Sequence, residues 1–453
     1  MARKKSAEEL ALEAELAVRK DEGSHEGSGK TKGDAVLPEV ERTAKKQRKG
    51  PRLTERLPFL SSTKGKAITA IAAVAVVAVV AGAVFFAGWN STDKWDGTQD
   101  TSWFDSANPK ESYTLTTAEQ LAGLGKLVED GNFMDGITIK LGCNLDMYGI
   151  EMKPIGSGRT IDGQTYSFEG NFDGQGHTVS GLNVVEDTWD FCGLFGAARG
   201  GYIKNLTVDG KVTGEVTVGG VVGSANSTSI TNCTNRCQVS ALKTATSFYA
   251  VSADCGGIAG LWIAASASDG DSFELANLTN EGPVAARAAS VGGVVGMLAN
   301  TEGTTLKVSK LANRGDVELF CETQDRDEAA GGVIGVVGSY GDVNDYDGIT
   351  NEGEVSCSSV LCVGGVFGSF MLPQDRYTVA NCANKGKVAA NATSDVAHVG
   401  GVFGYIDEPA DELKDCSNSG ELSATNGNVD DVCALDGREV WDAWEIANPK
   451  RIY

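Results

Sequence analysis

Proline is scarce in this 453-residue chain, at 9 residues against 58 glycines. That imbalance excludes a Pro/Gly low-complexity tract and requires that the glycines be explained by their positions. A basic footprint is also missing from most of the chain. Residues 1–66 carry 16 Lys+Arg and 11 Asp+Glu, and 67–88 carry no charge. The other 23 basic and 50 acidic residues therefore fall in 89–453, for a net −27 there. Phosphate binding needs positive charge, so nucleic-acid binding by this part is excluded. Histidine is nearly absent, with only His25, His177 and His398, which leaves few ligands for a histidine-based zinc site.

One long apolar run is present. Ala67–Gly88 (AITAIAAVAVVAVVAGAVFFAG) is uncharged over 22 residues, enough for a transmembrane helix of about 33 Å. It lacks the polar face of a globular helix. Arg52, Arg56, Lys64 and Lys66 precede it, while Asp93, Lys94, Asp96 and Asp100 follow. The positive-inside rule then predicts a single-pass plasma-membrane protein with a cytoplasmic N-terminus and an extracellular C-terminal portion. Ala81-Gly82-Ala83 would suit signal-peptide cleavage, but 66 preceding residues exceed an ordinary n-region, which favours an uncleaved signal anchor.

The tail, 1–66, has too little apolar content to pack a core and is expected to be disordered. Lys45–Arg56 would face anionic inner-leaflet lipid or simply enforce topology. Ser24-His25-Glu26-Gly27-Ser28-Gly29-Lys30-Thr31 nearly matches a phosphate-binding loop. However, Ser24 stands at the first glycine position and no apolar strand precedes it, so nucleotide binding is not expected.

The exported part repeats itself. Gly-Gly-x-x-Gly occurs at Gly219, Gly256, Gly292, Gly331, Gly364 and Gly400, in steps of 37, 36, 39, 33 and 36 residues, after a shorter Gly193-Leu194-Phe195-Gly196. A second phrase follows each full copy, with its asparagine at Asn235, Asn280, Asn313, Asn351, Asn384 or Asn418. Two residues before that asparagine stand Cys233, Leu278, Leu311, Ile349, Cys382 and Cys416, which reads as a buried apolar slot. Two residues after it a glycine usually follows, as in Gly282, where positive φ at a sharp corner would be tolerated. Each unit then offers three short strands: one on Gly-Gly, one entering the asparagine and one after the corner glycine. Stacked units would align the asparagines into a hydrogen-bonded row.

Units too small to bury a core alone must stack. The predicted fold class is all-β, a right-handed parallel β-helix (β-solenoid) preceded by one transmembrane helix and a disordered N-terminal tail. The expected segments are the tail 1–66, the membrane helix 67–88, a linker 89–112, the repeat β-helix 113–425, and a tail or cap 426–453. A propeller is the alternative, although blades usually need four strands and longer repeats.

These phrases resemble the GLUG repeats of bacterial surface proteins, found in adhesin-like chains and in the accessory region of IgA-cleaving metallopeptidases. Tyr113–Leu121, Ile139–Asp146, Pro154–Gly156 and Phe168–Val179 look like the leading coils of such pectate-lyase-like helices. The resemblance covers about 95–425 and implies fold and export, whereas activity is not fixed by fold. The metallopeptidase motif is absent, since His25-Glu26 lacks a second histidine and would lie on the opposite side of the membrane from His177 and His398.

A polysaccharide-cleaving site would use Asp146, Asp162, Asp173 and His177, with Arg159 as base or clamp. Against it, Asp173-Gly174 and Gly176-His177 read better as a structural corner, so no catalytic, cofactor or metal residues are assigned. The 11 cysteines are all exported and their odd number precludes complete internal pairing. Cys382 and Cys416 occupy equivalent slots in consecutive units, either within disulfide range or as buried free thiols. Cys233 and Cys237 have metal-like spacing without a second pair. Acidic inserts at Glu322–Glu328 and Asp342–Asp347 match no calcium loop and read as solvated charge. The expected function is a membrane-anchored surface protein whose acidic β-solenoid binds an extracellular glycan or protein ligand. The alternatives are a carbohydrate-active enzyme and an accessory chain, the latter suggested by Ala107-Asn-Pro-Lys110 recurring at Ala447-Asn-Pro-Lys450.

Overall fold

The computed structural model describes residues 94–434 except 162, 187–190, 243–252, 265–267, 288–289, 321–328, 339–342, 359–361, 372–376, 392–396 and 408–412. The chain divides into units 1–90 and 91–453, and every described residue belongs to the second. The expected tail and membrane helix, the Glu322–Glu328 insert and the second Ala-Asn-Pro-Lys lie outside the described residues. Among those described, no helix is long and apolar enough to cross a membrane.

The described residues of the second unit are all-β, with parallel strands in stacked sheets, one small antiparallel pair and one α-helix. That helix, α1 (Ala118–Glu129), starts where the Thr117 hydroxyl accepts from the Gln120 backbone N–H at 3.3 Å, a cap for an otherwise orphaned donor. It buries Leu121, Leu124 and Val128 completely. The reading of Tyr113–Leu121 as part of a strand coil missed it, although Thr-x-x-Gln and the spacing 121/124/128 mark a helix start and its apolar face.

Beyond α1 the strands grow long: Asn171–Val185 pairs in parallel with Tyr202–Gly214. From Val218 onward the pattern becomes repetitive. One repeat comprises strands Ser290–Gly292, Val295–Ala299, Thr305–Asn313 and Val317–Phe320. Each pairs in parallel with its counterpart one repeat later, Ser290 opposite Ala329, Val295 opposite Ile334, Asn313 opposite Asn351 and Val317 opposite Val355. Two seven-stranded sheets collect the short strands on either side of the Gly-Gly phrase, and a larger sheet collects the others apart from one separate two-stranded pair.

Two local expectations are corrected. The Gly-Gly phrase is not one strand but the bend between two, since Gly331 ends one strand and Ile334 begins the next. A Cβ on Gly331 would stand 1.8 Å from the Ile334 carbonyl oxygen, so the bend is too tight for any side chain. The corner glycines after the asparagine are not left-handed either. Gly353, for example, is there because a Cβ would meet the Gly315 carbonyl oxygen of the preceding repeat at 2.0 Å. Positive φ falls instead three residues before each asparagine, at Asn232, Asn277, Lys310, Gly348, Asn381 and Asp415.

The interior is a continuous apolar column. One row runs Phe195, Val222, Ala259, Val295, Ile334, Phe367 and Phe403, each opposite the next. The Phe367 and Phe403 rings stack at 5.0 Å between centroids. Aromatic contact of this kind adds to what burial alone contributes.

Candidate functional site

The asparagines after each apolar slot form the expected row. Asn235, Asn280, Asn313, Asn351 and Asn384 each donate from Nδ2 to Oδ1 of the next, at 2.8, 2.8, 2.9, 2.9 and 2.8 Å, ending on Asn418. Asn351 also donates to the Gly353 carbonyl at 2.9 Å and accepts from the Gly353 N–H at 3.3 Å. All four of its hydrogen-bonding positions are used, which is what a fully buried amide requires.

A second amide row, unanticipated from sequence, lies on the outside. Asn277 donates to Asn232, Asn232 to Asn205 and Asn205 to Asp173, at 3.0, 3.0 and 2.9 Å. It stops at Lys310, which occupies the same left-handed position. The signal was available in the first residue of each second phrase. Next to the buried row runs a third, equally unread: Arg236, Glu281, Arg314, Glu352 and Lys385 alternate in sign, with N–O distances of 2.8, 3.3, 3.4 and 3.1 Å. Hydrogen bonds from Arg236 and Lys385 hold the Glu281 and Glu352 carboxyls below their ordinary range.

The exposed amide row ends on the candidate residues. Asp173 opens a bulge in which Gln175 and Gly176 take φ of 53° and 80°. Its Oδ1 accepts from the Gln175 N–H at 3.0 Å and from Asn205 at 2.9 Å, and its Oδ2 lies 3.7 Å from Lys204 Nζ. Burial pushes this carboxyl up, but the hydrogen bonds from Asn205 and Gln175, with the Lys204 charge, outweigh burial and hold it below the ordinary value. Asp173 is therefore an ionised anchor, the opposite of a raised general acid. At the far side of the bulge, His177 Nδ1 lies 3.2 Å from Asn144 Oδ1, which also accepts from the Thr178 N–H at 3.0 Å.

The other candidates stand apart. Asp146 serves its own turn, accepting from the Tyr148 N–H at 2.8 Å. Arg159 is exposed beside a small antiparallel pair, Thr160–Ile161 with Gln164–Thr165, and Asp162 lies outside the described residues. The structure thus brings Asp173 and His177 onto one bulge and leaves Asp146 and Arg159 at separate turns. Beside the bulge is an open depression of about 450 Å³, lined by Gln175, Gly176, Asn205, Leu206, Thr207 and Asn232. Its amides and hydroxyl present neutral donors and acceptors, suited to binding hydroxyl groups.

Among the described residues, no group of three or more His, Cys, Asp or Glu is placed to hold a metal. Cys233 and Cys237 are fully buried, and desolvation pushes the Cys233 thiol up to about 12. Asp345 and Asp347 of the second insert accept from Thr378 and Asn381, each at 2.7 Å, rather than standing as free ligands.

No family model matches the chain and no curated protein matches it, so the likeness to GLUG repeats rests on the phrases themselves. The chain is similar to a solved Bacteroides ovatus structure named "putative immunoglobulin A1 protease", at 19% identity and a TM-score of 0.44, covering 76% of this chain and 89% of that one. At that score the likeness fixes neither chain path nor activity.

Proposed function

We propose that residues 113–425 wind as a right-handed parallel β-helix, held outside the cell by a 67–88 membrane helix, and that this acidic surface binds an extracellular glycan or protein. The supporting observation is the pair of amide rows. The buried row satisfies the corners internally, which leaves outward positions free to vary without loss of register. The polar depression beside Asn205 and Asn232 is the part of that surface best matched to a sugar's hydroxyls.

The full chain in detergent, applied to an array of glycans and matrix proteins with reducing-end release assayed alongside, tests the reading. Saturable binding without new reducing ends is expected, weakened by Thr207→Arg in the depression. Release of reducing ends that disappears in Asp173→Ala would replace binding with catalysis. External protease should also degrade 89–453 on intact cells while sparing 1–66.

A further inference from the structure

In the apolar slot two residues before each buried asparagine, cysteines meet on consecutive repeats at one place only, Cys382 and Cys416, while Cys233 has Leu206 and Leu278 as its neighbours. Ala383 pairs with Ser417, so the two cysteines lie directly opposite, and the Ser417 N–H donates to the Cys382 carbonyl at 2.9 Å. Adjacent strands run about 4.7–4.9 Å apart, inside the Cα separation a disulfide spans, about 4.4–6.8 Å. Both side chains share one slot, where the Cys382 Sγ lies 3.4 Å from the Ala380 carbonyl oxygen and the Cys416 Sγ 3.7 Å from that of Lys414.

The pair is asymmetric. Cys382 is fully buried, whereas Cys416 is half-buried at the last repeat of the stack. The neighbouring Cys382 sulfur lowers the Cys416 thiol, while the neighbouring Cys416 and burial raise that of Cys382. We propose that Cys416 and Cys382 form a thiol-exchange site that takes low-molecular-weight disulfides and closes a covalent clasp between the last two repeats.

The chemistry is two exchanges. The Cys416 thiolate attacks one sulfur of the small disulfide, forming a mixed disulfide and expelling the first small thiolate. Cys382 then attacks the Cys416 sulfur as its proton passes to the departing second small thiolate. The mixed bond breaks, the Cys382–Cys416 bond forms and the second small thiolate leaves. Two electrons pass from the protein thiols to the small disulfide, which becomes two thiols after protonation.

The test uses the full-length protein, reduced and freed of reductant, then incubated with oxidised glutathione and digested without reduction for mass spectrometry. The wild type is expected to give a peptide linked through Cys382 and Cys416 with no glutathione retained. Cys382→Ala should trap glutathione on Cys416, and Cys416→Ala should leave Cys382 unmodified because it is buried. Circular dichroism checks that both variants fold, and Cys416→Ala alters only a half-buried side chain. Glutathione persisting on wild-type Cys416 without the link, no product at either cysteine, or buried Cys233 reacting as fast as Cys416 would each overturn the proposal.

Discussion

The molecule uses asparagine twice, in the buried row through Asn235, Asn313 and Asn384 and in the exposed row through Asn205, Asn232 and Asn277. Both rows pass Nδ2–Oδ1 hydrogen bonds from repeat to repeat at nearly the same distances. The buried row runs unbroken over six repeats, whereas Lys310, Gly348 and Asp415 stand in the exposed one. Solvent accounts for the difference. A missing buried amide leaves carbonyls and N–H groups without partners, at about 1–3 kcal/mol each, whereas water replaces an exposed amide. Outside, the position requires left-handed backbone, which Asn, Asp and Gly tolerate best; Lys310 adopts it with no evident compensation.

Substitutions can break or sharpen this contrast, and the largest effect is expected from the tight bend behind the buried row. Gly331→Ala places a methyl group against the Ile334 carbonyl and should cost about 4 kcal/mol or more, visible as loss of the cooperative urea transition. Asn351→Ala orphans the Gly353 amide and carbonyl and both neighbouring asparagines, and should lower stability by about 3 kcal/mol in the same assay. Gly176→Ala is the counterpart in open space, with nothing within 4 Å but a φ of 80°, and should cost about 1 kcal/mol.

Arg314→Ala, in the alternating charge row, should cost less than about 1 kcal/mol, and the loss should shrink in high salt. The pH dependence follows from the same row. Glu281 and Glu352 are depressed in the folded state, so their contribution is full above the ordinary carboxylate range and is lost as pH falls through their lowered values. Asn277→Gly, which copies Gly348, should change stability by no more than about 0.5 kcal/mol.

How much of this was legible in sequence depends on whether a feature repeats. Asn235 to Asn418 and the slot from Cys233 to Cys416 recur at one spacing, so their stacking and burial could be read directly. The helix α1 occurs once, so its Thr117 cap has no recurring copy to mark it. The corner glycines were correctly located but for the wrong reason, because the backbone approach that would put a Cβ on Gly353 2.0 Å from the Gly315 carbonyl oxygen is tertiary and has no local signature. Asp173 illustrates the same limit. Its residue type, beside His177, made it a candidate for chemistry that spacing could not establish, and only the contacts from Asn205, Gln175 and Lys204 reveal an anchored, ionised group.

The central claim is that buried amides couple neighbouring repeats while exposed ones do not. Double-mutant cycles on the full chain measure this directly, with alanine at Asn313 and Asn351 for the buried row and at Asn232 and Asn277 for the exposed row, each followed by urea unfolding. The account predicts a coupling energy of about 1–3 kcal/mol for the buried pair and less than about 0.5 kcal/mol for the exposed pair. Equal couplings, or a larger one outside, would contradict it.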